Sequence, residues 1–377
     1  MVAPDSVSQT KQGIESPAKP PKAEARGPWS LRAGENTWHS AGIRSALRAI
    51  VAVLLALLVA AIPMLISGKS PLIAYRALID GAFGSLDHIA FALNKSTPYI
   101  LIAVGVALCF RAGIINIGGD GQVAIGALAA SWVALNAAAP PVLSVILSLA
   151  AGVVAGGVWA GVAAAIRLAR GVHEVLSTLL LNFVGLLIVS AALNGSMGES
   201  GSGFPQSPLF PDGVLLPNLF SGVELHAGFI IALVVAVLAQ ILLWRTRFGF
   251  QLRLLGGSRS AANYAGVSFA AGVMGVMLLS GGLAGLAGAV EVLGVHYRLI
   301  EGFSQGFGFT AVAVALLGAA DPLAAIPAAL FFGFLDAGAL AMQREVGVPS
   351  SLVFVIQGLS IVFALCAMGL DRRRRDV

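Results

Sequence analysis

Charged side chains are scarce in this sequence: 11% of its 377 residues are Asp, Glu, Lys or Arg, whereas 58% are hydrophobic. Soluble globular domains carry about a quarter charged residues, so this composition excludes that class. Cysteine is rarer still. The two cysteines, Cys109 and Cys366, both lie in apolar stretches, which indicates small buried side chains and gives no support for a disulfide or a cysteine metal site.

Motifs for enzyme chemistry are also missing. The letters "GKS" at 68–70 do not form a phosphate-binding loop, because that loop needs a glycine where Pro63 stands. The letters "VHEVLS" at 172–177 do not form a zinc motif, because Ser177 occupies the position of the second histidine. With no set of nucleophile, base and metal ligands, we expect no enzyme activity and no cofactor in this chain.

Long apolar runs are what the sequence has in abundance, and its mean hydropathy is +0.90. A helix needs roughly 20 mostly apolar residues to cross a bilayer. We therefore predict an all-α integral membrane protein with about ten transmembrane helices. The predicted spans are 46–66, 97–115, 119–138, 141–166, 174–194, 227–244, 268–290, 304–320, 323–343 and 351–370.

The two ends of the chain differ from the apolar region. Residues 1–45 are rich in Pro, Lys and small polar residues, which predicts a disordered basic tail. Residues 46–370 form the predicted membrane domain, and 371–377 form a basic C-terminal tail. Lys and Arg stay on the cytoplasmic side of a membrane, and both tails are basic, whereas loop 195–226 has no Lys or Arg. We therefore expect both termini to be cytoplasmic. Residues 67–96 have mixed charge and are predicted to form a surface helix.

Two glycine-rich junctions occupy matching places in the two halves. Under this topology spans two to five and seven to ten have opposite orientations, which predicts an inverted repeat. "NIGGDGQVAIGAL" joins spans two and three, and "EGFSQGFGFTAVAVALLG" joins spans seven and eight. Interrupted segments at such positions point to a substrate pathway in a transporter. Length alone leaves two alternatives for residues 116–122: a turn near the cytoplasm, or a discontinuous segment that dips into the membrane.

Polar residues inside the apolar runs are the candidates for contact with a solute. Amides suit a ligand that has both donors and acceptors, and no basic cluster is present for an anion. The same amides also serve to bridge helices, and Glu174 has an alternative role in pairing with Arg167 or Arg170 at an interface. The predicted pathway residues are Asn116, Asp120, Gln122, Asn182, Glu291, Gln305 and Gln357. Glycines four residues apart, such as Gly152 and Gly156 or Gly281 and Gly285, predict close helix packing.

The loop 245–270 contains four arginines and no acidic residue. One interpretation is that these arginines only keep the loop in the cytoplasm. The order of its residues, with Ser258 or Ser260 as a helix cap, predicts a short helix across the cytoplasmic face. The loop resembles the coupling ("EAA") loop of permease subunits in bacterial ABC importers. The matching residues are Arg247, Phe248, Gly249, Arg253, Gly256, Ala262, Ala265 and Gly266.

Residues 46–370 as a whole resemble the permeases for simple sugars, nucleosides and branched-chain amino acids, above all the nucleoside branch. One departure is Gly119-Asp120, where Ala-Glu is more usual. The resemblance implies a type II importer-like fold in a bacterial plasma membrane, with a second permease, a cytoplasmic ATPase that holds ATP and Mg, and an external substrate-binding lipoprotein. It implies lipid contact and no nucleic acid. A sugar, a riboflavin-like compound or a branched-chain amino acid remains an alternative substrate, and an ion-coupled secondary transporter an alternative class.

Overall fold

The computed structural model describes residues 51, 54–304, 306–349, 351–352, 354–359 and 362, so both predicted tails lie outside it. Within these residues the fold is helical with one short β-hairpin. The helices are α1 (Leu54–Ile66), α2 (Pro71–Phe83), α3 (Leu86–Arg111), α4 (Gly119–Asn136), α5 (Pro141–Arg170), α6 (Glu174–Leu193), α7 (Gly228–Arg245), α8 (Arg247–Gly257), α9 (Arg259–Tyr264), α10 (Phe269–Glu291), α11 (Phe307–Leu317) and α12 (Ala325–Val346). Strands β1 (Asn218–Phe220) and β2 (Val223–His226) pair antiparallel.

The two ends of the helix bundle differ in charge. Helices α3, α5 and α7 all finish with arginine in their last turn, and we call this the arginine end. The guanidinium of Arg111 lies 5.7 Å from the Trp244 ring centre, which places the ends of α3 and α7 together. We call the opposite end, where β1 and β2 pair, the hairpin end. There the Asn94 side chain accepts a hydrogen bond from the backbone N–H of His226.

Helix α10 lies at the centre of the bundle and packs against α3, α4 and α5. Glycines make these contacts close. A Cβ atom added to Gly156 on α5 would lie 2.6 Å from the Cα of Gly285 on α10, and one added to Gly157 would lie 3.0 Å from the Leu278 carbonyl oxygen. Small residues let membrane helices approach in this way. The predicted packing role of these glycines is confirmed.

Helix α3 begins earlier than the sequence predicted. The proposed surface helix over 67–96 is wrong, because only Pro71–Phe83 forms a separate helix and α3 is continuous from Leu86 to Arg111. Ser85 caps α3 by accepting a hydrogen bond from His88 N–H. Polar residues and Pro98 inside the first half of α3 hid it from a search for apolar runs. Prolines are tolerated in membrane helices, and in the turn before Pro98 the Thr97 hydroxyl donates to Leu93 O.

The number of crossings differs from the number of apolar runs. In the described part of the chain, six helices are long and apolar enough to cross a membrane: α3, α5, α6, α7, α10 (extended to His296) and α12. Helix α11 has 11 residues, or about 16 Å, roughly half of the hydrocarbon core. The prediction that 304–320 forms a crossing is therefore wrong. The count of ten is not confirmed, because the first and last predicted spans are described only in part.

Candidate functional site

The chain enters the bundle between α3 and α4 without forming a helix. Residues 112–118 run along the first three turns of α6, whose polar side chains Glu174, Thr178 and Asn182 follow one another at four-residue spacing. These side chains accept hydrogen bonds from the backbone N–H groups of Ile115, Ile117 and Gly121, at 3.3, 3.4 and 2.8 Å. Backbone groups in the hydrocarbon region need such partners. This polar row on α6 therefore supports an extended segment inside the membrane.

The alternative of a dipping, discontinuous segment is thus the one that the structure adopts. Asn182 lies eight residues beyond the start of α6, which is about 12 Å along the helix axis. Its amide nitrogen also donates to the Ile117 carbonyl at 2.9 Å. Asn182 therefore bonds both a backbone carbonyl and a backbone N–H group where the segment meets α4. Helix α4 starts level with Asn182, two turns into α6, and not level with the first residue of α6.

Two of the predicted pathway amides, Asn116 and Gln122, form a buried network beside this segment. Asn116 and Gln122 exchange two hydrogen bonds of 3.0 Å, and Asn116 also donates to the Ser280 hydroxyl of α10 at 2.9 Å. The Asn116 oxygen accepts from Gly118 N–H at 2.9 Å. The network joins α4 and α10 to the extended segment. Asn182 bonds the neighbouring Ile117 and Gly121, so three of the predicted pathway residues lie close together, and their contact with a solute stays a prediction.

Two helices, α4 and the half-length α11, begin at the same point inside the bundle. The Asp120 carboxylate, in the first turn of α4, accepts a hydrogen bond of 2.9 Å from the backbone N–H of Gly308, in the first turn of α11. A Cβ atom at Gly119 would lie 2.7 Å from Gly308 Cα, so the two backbones touch. From this junction α4 runs toward the hairpin end. Helix α11 runs toward the arginine end, where Arg111 Nε donates to Ala320 O at 2.7 Å.

The opposite directions of α4 and α11 have an electrostatic consequence. A helix carries a partial positive charge at its N-terminus, and here two N-termini meet around one carboxylate. Asp120 is 3% exposed, so water does not screen this contact. Gly306, with a φ of +88°, provides the left-handed backbone that starts α11. The junction has the form expected of a broken-helix transport site.

A cleft of about 260 Å³ opens next to this junction, between α4, α6 and residues 301–304. Ala124, which lies one turn beyond Asp120, forms part of its wall. The side chains with aromatic or polar groups are Phe183, Ser190, Glu301, Phe303 and Ser304, and the other lining residues are aliphatic or glycine. Glu301 and Ser304 were not among the predicted pathway residues. Their place in a glycine-rich junction was the signal that could have found them.

Glu291, a predicted pathway residue, lies toward the hairpin end and does not line this cleft. It is 1% exposed and ends α10 just before a π-helical turn, Val292–His296. Its Oε1 lies 3.8 Å from Lys95 Nζ and 3.5 Å from His296 Nε2. Neither carboxylate oxygen has a hydrogen-bond partner among the described residues. The buried charge is therefore balanced by ion pairing with α3.

Glu174 has the structural role predicted as its alternative, ion pairing with an arginine. Its carboxylate forms an ion pair with Arg167 and accepts from Ile115 N–H. The predicted pairing is thus confirmed for Arg167, whereas Arg170 is exposed and has no ion pair within the described residues. Glu174 fixes the entrance of the extended segment.

Gln357 contacts an acidic residue, Asp336, that was not among the predicted pathway residues. Its amide donates to Asp336, which lies near the middle of α12 and also accepts from the Tyr99 hydroxyl of α3. Helices α3 and α12 and the helical segment 354–359 are thereby joined at one carboxylate. A lone acid in the middle of a 22-residue apolar helix was the available signal, because such a group is costly in a membrane unless it is paired. Gln305 lies outside the described residues.

The loop 245–270 folds as two short helices at the arginine end. Thr246 caps α8 by accepting from Gly249 N–H, and Ser258 caps α9 by accepting from Ala261 N–H. Of the two predicted caps, Ser258 and Ser260, it is Ser258 that caps the helix. Of the loop residues singled out in the sequence, Gly249 and Ala262 are buried, Phe248 and Arg253 are half-buried, and Arg247, Gly256, Ala265 and Gly266 are exposed.

The outer surface of these two helices is basic and aromatic. Arg247, Phe250 and Tyr264 are exposed, and Tyr264 retains 95% of its accessible surface. Arg253 is different, because its guanidinium stacks 4.5 Å from the centre of the Trp244 ring. Arg253 therefore attaches α8 to α7, whereas Arg247 has no hydrogen bond, ion pair or ring contact with a described residue.

Sequence comparison identifies the family to which this architecture belongs. A family model described as "Branched-chain amino acid transport system / permease component" matches residues 88–365. The chain belongs to this permease family. The permease is 36% identical to the guanosine ABC transporter permease protein NupP of Bacillus subtilis, over 83% of the chain and 91% of the relative. It is a multi-pass membrane transport component and not an enzyme.

Two further relatives show the range of named substrates. The permease is 35% identical to the glucose ABC transporter permease protein TsgB13 of Haloferax volcanii, over 86% of the chain and 88% of the relative. It is 29% identical to a second guanosine ABC transporter permease protein of Bacillus subtilis, NupQ, over 73% of the chain and 86% of the relative. NupP and NupQ come from one organism and have the same named substrate.

Proposed function

We propose that this chain is the permease subunit of an ATP-driven importer and that its solute is a nucleoside. The observation that carries the proposal is the junction at which α4 and α11 begin, with Asp120 bonded to Gly308, in a chain that resembles NupP over most of its length. Transporters place their solute near the middle of the membrane, beside interrupted helices. The named substrates of NupP and NupQ favour a nucleoside, and the name of TsgB13 makes a sugar the alternative.

The energy for transport comes from a separate ATPase subunit in this proposal. The chain has no phosphate-binding loop, so ATP and Mg belong to the partner. The exposed surface of α8 and α9 supplies the contact, with Arg247 and Tyr264 at its centre. The arginine end then faces the cytoplasm, in keeping with the positive-inside rule, and both termini lie there.

Two further partners complete the importer. A substrate-binding lipoprotein delivers the solute at the hairpin end. A second permease, a different chain related to this one as NupQ is to NupP, encloses the pathway. The cleft beside α6 supports this arrangement, because a carboxylate and two hydroxyl side chains are unsuited to lipid and need protein or water opposite them.

Reconstitution tests the energy source directly. We expect proteoliposomes with both permeases, the ATPase and the binding protein to accumulate radiolabelled nucleoside only when ATP is enclosed with the ATPase. Uptake by the permeases alone, driven by a proton or sodium gradient, would show an ion-coupled carrier and refute the proposal. Accumulation of glucose in place of nucleosides would refute the substrate assignment and leave the energy source standing.

The ATPase contact has its own test. Arg247→Glu reverses the charge of an exposed residue on α8, and we expect it to abolish co-purification of the ATPase subunit. The matched control is Arg170→Glu, which reverses an exposed charge at the same end of the bundle but outside α8 and α9. Equal loss of the ATPase in both variants would mean that overall charge at the arginine end, and not this surface, retains it.

A further inference from the structure

Two polar groups in the cleft between α4, α6 and residues 301–304 have no partner among the described residues. Ser304 is 1% exposed, and its hydroxyl has no hydrogen bond there. The half-buried carboxylate of Glu301 likewise has no ion pair or hydrogen bond with a described residue. Buried polar groups in proteins nearly always have partners. Ser304 is such a group, and the half-buried Glu301 carboxylate lies in the same cleft, so the pair offers polar contacts to a ligand.

The backbone holds these two groups in place. The N–H of Glu301 donates to Pro205 O at 3.1 Å, and the neighbouring residue Ile300 pairs with Gln206 as an isolated β-bridge. The carbonyl of Ser304 accepts from Phe307 N–H at 3.2 Å, in the first turn of α11. Glu301 and Ser304 are therefore fixed relative to the junction of α4 and α11 and do not lie on a free loop.

On the basis of the nucleoside transport proposed above, we propose that this cleft binds the base of the nucleoside and that Glu301 selects bases with two adjacent N–H donors. Phe183 and Phe303 supply flat apolar surfaces, of the kind on which nucleic acid bases stack. The Phe303 ring is itself held edge-on by His296, at 5.9 Å between ring centres. Ser190 and Ser304 provide hydroxyl groups for the remaining polar atoms of the solute.

The charge of the cleft sets two limits on the solute. No described Lys, Arg or His lines it, so the phosphate of a nucleotide has no counter-charge there and we expect nucleotides to be excluded. A carboxylate only accepts hydrogen bonds. Guanine presents two adjacent donors, its ring N1–H and its exocyclic amine, and so matches the two oxygens of Glu301. Adenine presents one donor beside one acceptor and does not.

The test is competition between guanosine and adenosine in the reconstituted importer. Glu301→Gln replaces one acceptor with a donor, which is the pattern that adenine matches. We expect the ratio of guanosine to adenosine uptake to fall by about tenfold or more, because guanosine loses its bidentate contact and adenosine gains one. The control is Glu224→Gln, at an exposed glutamate of the hairpin end outside the cleft, which should leave the ratio unchanged.

Three results would overturn the inference, and they differ in what else they refute. An unchanged ratio in Glu301→Gln, with both nucleosides still transported, would mean that Glu301 does not read the base. If the unmodified importer transported guanosine monophosphate as fast as guanosine, the expected exclusion of anionic solutes would be wrong. Failure of the unmodified importer to take up any nucleoside would refute the proposed function as well.

A second measurement does not depend on transport activity. A cysteine placed at Ser190 should react with a membrane-impermeant maleimide in the assembled importer, and guanosine should protect it more than adenosine does. The unmodified chain supplies the background, since Cys109 is buried. A cysteine that stays unreactive in every state would show that another protein segment or lipid fills the cleft, and would overturn the assignment.

Discussion

Replacement of Asp120 tests whether the junction of α4 and α11 is held by charge. The carboxylate is buried and accepts from Gly308 N–H at 2.9 Å, at the positive end of both α4 and α11. A hydrogen bond to a charged group contributes about 1.5–3 kcal/mol. A charge at a helix terminus in a partly buried site adds up to about 2 kcal/mol. Desolvation of the carboxylate offsets part of this gain.

These terms give a net loss of about 2–3 kcal/mol for Asp120→Ala, because Gly308 N–H is then left without its acceptor. Asp120→Asn keeps a neutral acceptor and should lose about 1 kcal/mol. Thermal unfolding of the purified permease in detergent, followed by tryptophan fluorescence, ranks the variants. The expected order of stability is unmodified chain, Asp120→Asn, then Asp120→Ala, with nucleoside uptake falling in the same order.

The matched control is Asp87→Ala, which removes an acid from the first turn of α3. Asp87 is exposed and is not bonded across two helices, so its loss should cost at most a few tenths of a kcal/mol. If Asp120→Ala and Asp87→Ala lowered the unfolding temperature equally, the junction would not depend on the Asp120 carboxylate. The electrostatic account of the site would then be wrong.

Three other predictions concern packing, a buried acid and pH. Gly285→Leu should lower stability by about 1–3 kcal/mol by forcing α10 away from Gly156, and equal unfolding temperatures for variant and parent would contradict this. Tyr99→Phe should destabilise less in an Asp336→Ala background than alone, with a coupling of about 0.5–3 kcal/mol, and strict additivity in unfolding would refute the shared bond. Burial lowers the pKa of His226 from 6.5, so the folded chain favours the neutral ring, and stability should fall as pH drops below 6.5, by at most about 1.4 kcal/mol per unit. His226→Gln should flatten that decline in a pH series of melts.

Some features of this fold are local and could be predicted from the sequence. Long apolar runs identify α5 and α7 because each buries no charge within its length. Ser258 precedes a short helix and caps it, as its position indicated. Such features depend on residues within one or two turns, so the sequence alone carries enough information.

Other features depend on partners that are distant in the chain. The polar start of α3 resembles a surface segment until Lys95 is seen beside Glu291, nearly two hundred residues later. The run 304–320 is apolar enough for a crossing, yet it forms only a half-helix because the preceding residues fold against 205–207, where Ser207 N–H donates to Leu299 O. Composition cannot reveal such pairings. Asp336 was missed for the same reason, since its partners lie on two other helices.

One contact links the proposed ATPase surface to the junction of α4 and α11. A Cβ atom added to Gly256, at the end of α8, would lie 2.9 Å from the carbonyl carbon of Arg111 and 3.0 Å from Gly113 N. Arg111 is the last residue of α3, and Gly113 lies in the extended segment 112–118, whose other end leads to Asp120.

We therefore expect a displacement of α8 to move this segment directly, and a side chain at position 256 to disturb that contact. Gly256→Val should reduce nucleoside uptake per ATP hydrolysed at least severalfold, while the ATPase still co-purifies. Gly257→Val is the control, because a Cβ at Gly257 meets nothing within 4 Å. An unchanged ratio of uptake to hydrolysis in Gly256→Val would show that the work of the ATPase reaches the junction by another route.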